Sequence, residues 1–475
     1  IKLMQKTKII ATLGPACNDV AKIKKMLISG LNVIRINMSH THDMQELQKH
    51  ITMIRKEAKT LNKSISLMID LGGPKIRTQF IDNTTTIQII KNKEYSVGHT
   101  NADIPIDTKM DFQTIHANSQ IKIDDGMLVF KILDITKDQQ LIVKALNEGT
   151  IDNHKGVNFP GVQFKIPAVP DQDKQHIKAA IDLKVDWIAQ SFVRSPRDIY
   201  PIQRILKQHQ AHIPVIAKIE KPEAIDNLHA IINQYDGILI ARGDLGVEME
   251  LSSLPKLQKQ IINQCIYYKK PCIVATQMLE SMIYSDTPTR AEVNDVANAI
   301  YDGVDAIMLS AETATGQHPI QSVSMMSKIA SDIESDLDIS NFNRNILDSV
   351  SQQINDNYLA ICHAAYSISI NLDIKVIVVL TDSGKTAIQM AQFRPHATIV
   401  AITPSINVCN QLSMIWGVLP IHKKQPKDIH KLYHMINSTL IKQKLIKKGD
   451  NFLLSSGVLE NIKNTTNMLQ IYQAN

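Results

Sequence analysis

Eight short apolar runs, most of them separated by longer stretches of helical periodicity, constrain this chain more than any other feature. They are Lys8–Leu13, Asn32–Asn37, Ser66–Leu71, Trp187–Phe192, Pro214–Glu220, Gly237–Arg242, Pro271–Thr276 and Ala306–Ser310. Continuous Val/Ile/Leu-rich runs of this length read as strands buried on both faces, as in parallel sheets. Lys174–Leu183, Asp198–His209 and Leu254–Lys269 read as intervening helices. Eight parallel strands joined by helices close into a (β/α)8 barrel, whose reactive residues gather at the C-terminal strand ends.

The alternation breaks twice. From Gly72 to about Ala168 the pattern is short and alternating (Thr86–Ile90, Ile121–Ile123, Met127–Ile132, Gln140–Ala145), with turn residues between the runs. That predicts an inserted antiparallel β-barrel-like unit over the barrel mouth, able to act as a lid. After about Ser335, Val376–Thr381, Lys385–Gln392 and Thr398–Thr403 read as strand, helix and strand of a doubly wound C-terminal α/β unit. The expected division is 1–71 and 169–335 for the barrel, 72–168 for the lid and 336–475 for the C-terminal domain.

The strand ends carry the chemistry. Lys218 and Glu220 are two apart, so they point the same way from a strand. A buried ammonium and carboxylate on one face fit a strand-end salt bridge, or a site where a metal-bound phosphate satisfies both. Asp244 leaves the next apolar run inside a glycine-bracketed turn, where the N–H of Gly243 can meet an anion. Two such carboxylates suit Mg²⁺, which keeps waters and substrate oxygens as its other ligands.

Arg35, Asn37 and Ser39 alternate with Ile34, Ile36 and Met38, which predicts a polar row at a strand end, with Arg35 as phosphate partner and Asn37 and Ser39 as oxygen donors. Asp70 is a third strand-end carboxylate, ahead of a Gly72-Gly73-Pro74 hinge. Arg77, and Lys155 in the return from the insert, read as phosphate partners or as solvated charges. Thr276, Ser310 and Glu312 follow the last two strands, where they could relay a proton or cap helices. Ser383-Gly384-Lys385-Thr386 resembles the end of a P-loop, but Val379 stands where its first glycine belongs. The segment remains readable as a phosphate cradle or as a helix cap.

Composition excludes several classes. The 475 residues are too many for one core, and 44% hydrophobic with 21% charged residues describes a globular chain. The charge of +6 comes without a dense basic run with aromatics, which argues against nucleic-acid binding. No run approaches a membrane span, and no signal-peptide core opens the sequence. Five scattered cysteines, none in a C-x-x-C, predict reduced thiols in a cytoplasmic protein.

Together these residues resemble the pyruvate kinase family from Lys8 to about Gly457. The resemblance is carried by Val215–Ile225, Ala241–Gly246, Ala275–Met282, Thr289-Arg290-Ala291-Glu292 and Lys155–Gly161. It implies transfer of a phosphoryl group from phosphoenolpyruvate to ADP, giving pyruvate and ATP, with Mg²⁺ or Mn²⁺. It implies Lys218 on the transferring phosphoryl, Glu220 and Asp244 on the divalent cation, and Arg35 on the substrate phosphate. Gly243, Asp244 and Thr276 would seat the substrate carboxylate, and Asn37, His40, Arg77 and Lys155 would face the nucleotide. Ser310 and Glu312, with Thr276, are relay candidates for protonating enolpyruvate. A homotetramer is implied as well.

Two departures from the family pattern bear on cofactor and effector. Many members carry glutamate where Lys75 stands, and bind K⁺ with Asn37, Ser39, Asp70 and the carbonyl of Leu71; lysine resembles the K⁺-independent members. Thr381, Ser383, Gly384, Lys385 and Thr386 resemble the effector-phosphate loop. The basic, glycine-rich segment expected near the end is instead Gly457-Val458-Leu459-Glu460-Asn461, which weakens the case for fructose bisphosphate and leaves a sugar monophosphate or AMP open. A metabolite-sensing inactive homologue would lack Lys218, Glu220, Asp244 or Thr276, and all four are present. Another barrel that uses phosphoenolpyruvate or pyruvate would lack the insert and the C-terminal unit.

Overall fold

The structure is a computed structural model. It describes residues 5–475 except 42, 81–85, 113–114, 116–118, 137, 163, 165, 337–356, 427 and 458–465. The segment Val458–Asn461, singled out above, therefore lies outside the described residues.

Eight strands close a parallel barrel: β1 (Lys8–Thr12), β2 (Leu31–Asn37), β3 (Ser66–Asp70), β4 (Trp187–Gln190), β5 (Val215–Ile219), β6 (Gly237–Ala241), β7 (Cys272–Ala275) and β8 (Ala306–Leu309). β8 pairs back onto β1, with Lys8 opposite Ala306. Every residue of β1 and β3 to β8 is buried, which is why these strands read as unbroken apolar runs.

Seven strands stop one or two residues earlier than the sequence predicts. Leu71, Glu220, Arg242, Thr276 and Ser310 lie just beyond the ladder. There the backbone turns sharply: Thr276, Gln277 and Phe192 take positive φ (70°, 53° and 55°), and Arg242 opens a helix through Glu248. Residues past the ladder are free of strand geometry, and their strained backbone sits where function concentrates. Ser39 also departs from the expected alternation. It lies in a 3₁₀ turn, Met38–His40, whose cap is the Asn37 side chain accepting from Ser39 N at 3.2 Å.

Between β3 and β4 the insert forms a six-stranded sheet and a separate two-stranded ribbon, Thr86–Ile89 with Gly149–Asp152. Pairing in the sheet is antiparallel except for Glu94–Gly98 beside Ile104–Pro105. Leu141–Ala145 alternates buried with half-buried residues, as a one-sided sheet requires. The insert has its own core, from Ile76 to Phe159, separate from that of the barrel.

The C-terminal sheet runs β11 (Val418–His422), β10 (Thr398–Thr403), β9 (Val376–Leu380), β12 (Asn451–Ser456) and β13 (Met468–Gln473), with only β13 antiparallel. Ile377 and Val379 face a core continuous with that of the barrel, while Val376, Val378 and Leu380 face a second core. The alternation of β9 thus buries both faces. The five cysteines are all buried and unpaired by disulfides.

Candidate active site

At the C-terminal rim, parallel register sets Asn37 of β2 opposite Asp70 of β3, and Lys218 reaches Asp70 from β5, two strands along the barrel. Asp70 is buried and receives cations on both oxygens. Arg35 Nε and Nη2 reach Oδ2 at 2.7 and 2.6 Å, and Lys218 Nζ lies 3.2 Å from Oδ1. Arg35 also donates to Thr12 Oγ1 at 3.0 Å. Burial works against ionisation of Asp70, but Lys218 and Arg35 outweigh it and hold the carboxyl below its ordinary range.

Lys218 is the centre of the cluster. Burial alone would strip its proton, yet Asp70 and Glu220 raise its pKa well above that of a free lysine. Its ammonium donates to Ser191 Oγ at 2.8 Å and stands 2.9 Å from Glu220 Oε1. Glu220 is fully buried, and its Oε2 accepts from Phe192 N at 2.7 Å. Burial, with Asp244 and Asp70 adding repulsion against the pull of Lys218, pushes the Glu220 pKa up.

Asp244 sits in the first turn of the Arg242–Glu248 helix. Burial opposes its ionisation, but Lys75 and Lys218 outweigh that and lower its pKa. Lys75 Nζ is 3.1 Å from Asp244 Oδ1 and 3.9 Å from Asp125, and it lies over the Phe192 ring. The Gly243 N–H donates to Thr276 Oγ1 at 2.7 Å, so the donor and hydroxyl predicted to seat a carboxylate meet across β6 and β7. Arg242, which the sequence did not single out, braces this turn. It donates to Thr276 O at 2.7 Å and pairs with Asp295 at 2.7 Å.

From the insert, Lys155 pairs with Asp124 at 3.0 Å and Arg77 donates to His154 O at 3.0 Å. These groups, with Arg35, Asn37, Ser39, His40, Asp70, Leu71, Lys75, Lys218, Glu220 and Asp244, line one cleft of about 390 Å³ between barrel and insert. Gly243, Thr276, Ser310 and Glu312 line an adjoining cleft that shares Lys75 and Asp244. The hinge glycines are held by Asp173, which accepts from Gly72 N and Gly73 N at 3.1 and 2.8 Å. At Gly73 (φ +67°) a Cβ would come within 2.8 Å of the Phe192 ring, so the hinge excludes other residues.

Glu312 is deeply buried, and burial raises its pKa. Both its oxygens accept backbone N–H groups, from Leu279 (3.2 Å) and Ser310 (2.7 Å), an arrangement that braces the loops after β7 and β8. In the C-terminal unit, Gly384 (φ +82°) caps the Lys385–Gln392 helix and donates to Thr381 Oγ1 at 2.9 Å. Thr386 is bonded to Tyr358 and Thr466, at 2.7 and 2.8 Å, while Ser383 and Lys385 are exposed. The strand–turn–helix start is present, with two of its hydroxyls committed within the protein.

Among the described residues no cluster of three or more His, Cys, Asp or Glu is arranged to hold a metal. The donor set nevertheless fits a hard divalent cation. Glu220 and Asp244 bring two carboxylates to one cleft, and a cation that draws its other ligands from water and substrate needs few.

A parallel barrel whose rim fixes lysine, arginine and carboxylates beside a β insert is the construction of a phosphotransferase, with charge in place to receive a phosphoryl group. The comparisons agree. The description "Pyruvate kinase, barrel domain" matches residues 4–323 and "Pyruvate kinase, alpha/beta domain" matches 359–472. Pyruvate kinase of Staphylococcus epidermidis is 39% identical over 99% of this chain and 80% of the relative. That of Bacillus licheniformis is 38% identical over the same shares. A crystal structure of a pyruvate kinase from Cryptosporidium parvum superposes with TM-score 0.93 at 31% identity, covering 99% of this chain and 97% of the other. The chain belongs to the pyruvate kinase family.

Ser191, Thr12, Phe192 and Arg242 escaped the sequence reading. For Ser191 and Phe192 the available signal was position alone, directly after β4; for Arg242 it was its place before Gly243.

Proposed function

We propose that this rim carries out the pyruvate kinase reaction, moving the phosphoryl group of phosphoenolpyruvate to ADP, with Lys218 at its centre. The observation that carries the reading is the buried Lys218 ammonium, kept charged by Asp70 and Glu220 and open to the same cleft as Arg35 and Asp244. In this reading Arg35 and Lys218 bind the substrate phosphate, and Lys218 offsets charge on the phosphoryl group as it transfers. Glu220 and Asp244 hold Mg²⁺ or Mn²⁺, which supplies further neutralisation of phosphoryl oxygens when bound. Thr276 and the Gly243 and Asp244 N–H groups orient the substrate carboxylate. Asn37, His40, Arg77 and Lys155 face the nucleotide, with the insert (72–168) closing to exclude water. After transfer, enolpyruvate takes a proton at carbon through water ordered by Thr276 and Ser310, with Glu312 bracing their loops.

Lys75 supports K⁺-independent turnover, because its fixed charge already lies at Asp244. The Thr381–Thr386 loop is proposed as a phosphate site for a sugar monophosphate or AMP. A homotetramer in the cytoplasm fits the family. No helix among the described residues is long and apolar enough to cross a membrane.

The test is a lactate-dehydrogenase-coupled assay. Pyruvate should form from phosphoenolpyruvate only when ADP and Mg²⁺ are both present, and formation that ignores ADP ends the kinase reading. Titrating glucose 6-phosphate and AMP against phosphoenolpyruvate saturation tests the loop; no shift with either removes it.

A further inference from the structure

The insert also meets the barrel at a buried carboxylate, Glu248, on the wall of the cleft that holds Gly243 and Thr276. Glu248 ends the helix that begins at Arg242 and is 8% exposed. A single oxygen, Oε1, accepts from Asn158 Nδ2 at 2.7 Å and meets Lys221 Nζ at 2.5 Å. Asn158 belongs to the insert, where Val157–Asn158 pairs with Gln120–Ile123. Lys221 directly follows Glu220. From the same insert sheet, Lys122 Nζ donates to Val247 O at 2.7 Å, one residue before Glu248. Three segments therefore converge here: the return strand of the insert, the chain carrying Glu220, and the helix carrying Asp244 one turn earlier.

A salt bridge serving stability alone would need only Lys221 and Glu248, which both belong to the barrel. The Asn158 amide makes the same oxygen sensitive to where the insert stands. Moving the insert away takes a donor from a buried carboxylate, and the remaining ammonium and carboxylate must readjust. Lys221 is the next residue after Glu220, and Glu248 shares a helix with Asp244, the two proposed cation ligands.

We propose that Glu248 is a positioning residue that links the seating of the insert to the placing of Glu220 and Asp244. This rests on the reading of those two carboxylates as cation ligands.

The test is Mn²⁺ binding to the full chain, followed by the paramagnetic resonance of free Mn²⁺, without substrate or turnover. Glu248→Gln keeps an oxygen for Asn158 but removes the charge facing Lys221; it should weaken Mn²⁺ binding about tenfold, as loss of an outer partner does. Asn158→Ala leaves Glu220, Asp244 and Glu248 all in place, and it should still weaken Mn²⁺ binding about threefold, the size of a coupling carried through packed groups. Backbone hydrogen exchange across Gln120–Ile123 should quicken in both variants.

A purely structural role predicts lower melting temperatures with Mn²⁺ affinity unchanged. That result in Asn158→Ala overturns the inference, and it can be read even if Glu248→Gln fails to fold. Failure of the parent chain to bind Mn²⁺ would instead overturn the cation reading of Glu220 and Asp244, and the inference with it.

Discussion

The two ends of the barrel bury lysines to similar depth and treat them oppositely. At the rim, Lys218 is held charged by Asp70 and Glu220. At the base, Lys6 and Lys8 are buried where the barrel meets the C-terminal unit, and desolvation wins: both pKa values fall to about 8 despite the pull of Glu334. Their ammonium groups donate to backbone carbonyls instead, Lys6 to Pro395 and His396 and Lys8 to Val418, at 2.8–3.0 Å. Asp305, also at the base, is pushed up by burial although Arg394 lies 3.2 Å away. The contrast shows that depth alone does not set ionisation. Carboxylates in direct contact keep the rim charged, which costs folding free energy but leaves fixed charge where a phosphoryl group can use it.

Exchanging a lysine at each end should separate the two roles most sharply. Lys218→Met should lower kcat about a thousandfold, the scale of losing a preorganised charge from a transfer site. The fold should survive, because Arg35 still pairs with Asp70 and Glu220, already inclined to hold a proton, can become neutral. Lys8→Met should leave kcat within about twofold, since the base lies outside the electrostatic reach of the reaction. Steady-state kinetics with circular dichroism on both variants checks this. Comparable losses of kcat in the two would erase the distinction.

The base lysines predict an alkaline stability slope. Their folded pKa lies below the unfolded value of 10.5, so the penalty for burying charge is fully present below about pH 8. It is relieved as pH rises from about 8 towards 10.5, by at most about 3 kcal/mol per lysine. Against other titrating groups, the parent should gain stability in this window relative to a Lys6→Met/Lys8→Met variant, measured by urea unfolding. Parallel pH profiles would show that neither lysine is perturbed.

At the rim the sign concerns cation binding. Glu220 has a raised pKa, so protons compete for it at higher pH than for an ordinary glutamate, while Asp70 stays ionised. Mn²⁺ affinity should therefore fall on acidification, starting at higher pH than an ordinary glutamate would produce. Glu220→Gln should bind Mn²⁺ about tenfold more weakly and flatten that profile. A parent profile already flat would mean that Glu220 does not titrate against the cation.

The difference between the ends also marks what could be read from the sequence. The rim announced itself, because Lys218, Glu220, Asp70 and Asp244 interrupt or end apolar runs where charge is costly. The barrel followed from the same runs. What stayed hidden depends on long-range register: Ser191 matters because β4 sets it beside Lys218, and Lys75 finds Asp244 across 169 positions. Ser39 was misplaced because its turn is stabilised by the Asn37 side chain, a local cap that competes with continued extension. Lys6 precedes β1 and Lys8 opens it, and nothing local marks either as buried until the C-terminal unit covers them.

The smallest expected effect concerns the monovalent cation. The Lys75 ammonium lies 3.1 Å from Asp244 and 3.9 Å from Asp125, so a positive charge is covalently fixed beside the rim carboxylates. An ion in the Asn37, Ser39, Asp70 and Leu71 pocket would add a second charge close by, and Asn37 already uses its side-chain oxygen to cap Ser39. Replacing tetramethylammonium by K⁺ at constant ionic strength should change kcat by less than about twofold, because the charge K⁺ would bring is already present. Lys75→Glu removes that charge and adds a carboxylate facing Asp244, so the variant should lose activity and recover part of it with K⁺. A parent enzyme activated severalfold by K⁺ would mean that the Lys75 ammonium serves Asp244 alone and leaves the monovalent site to be filled.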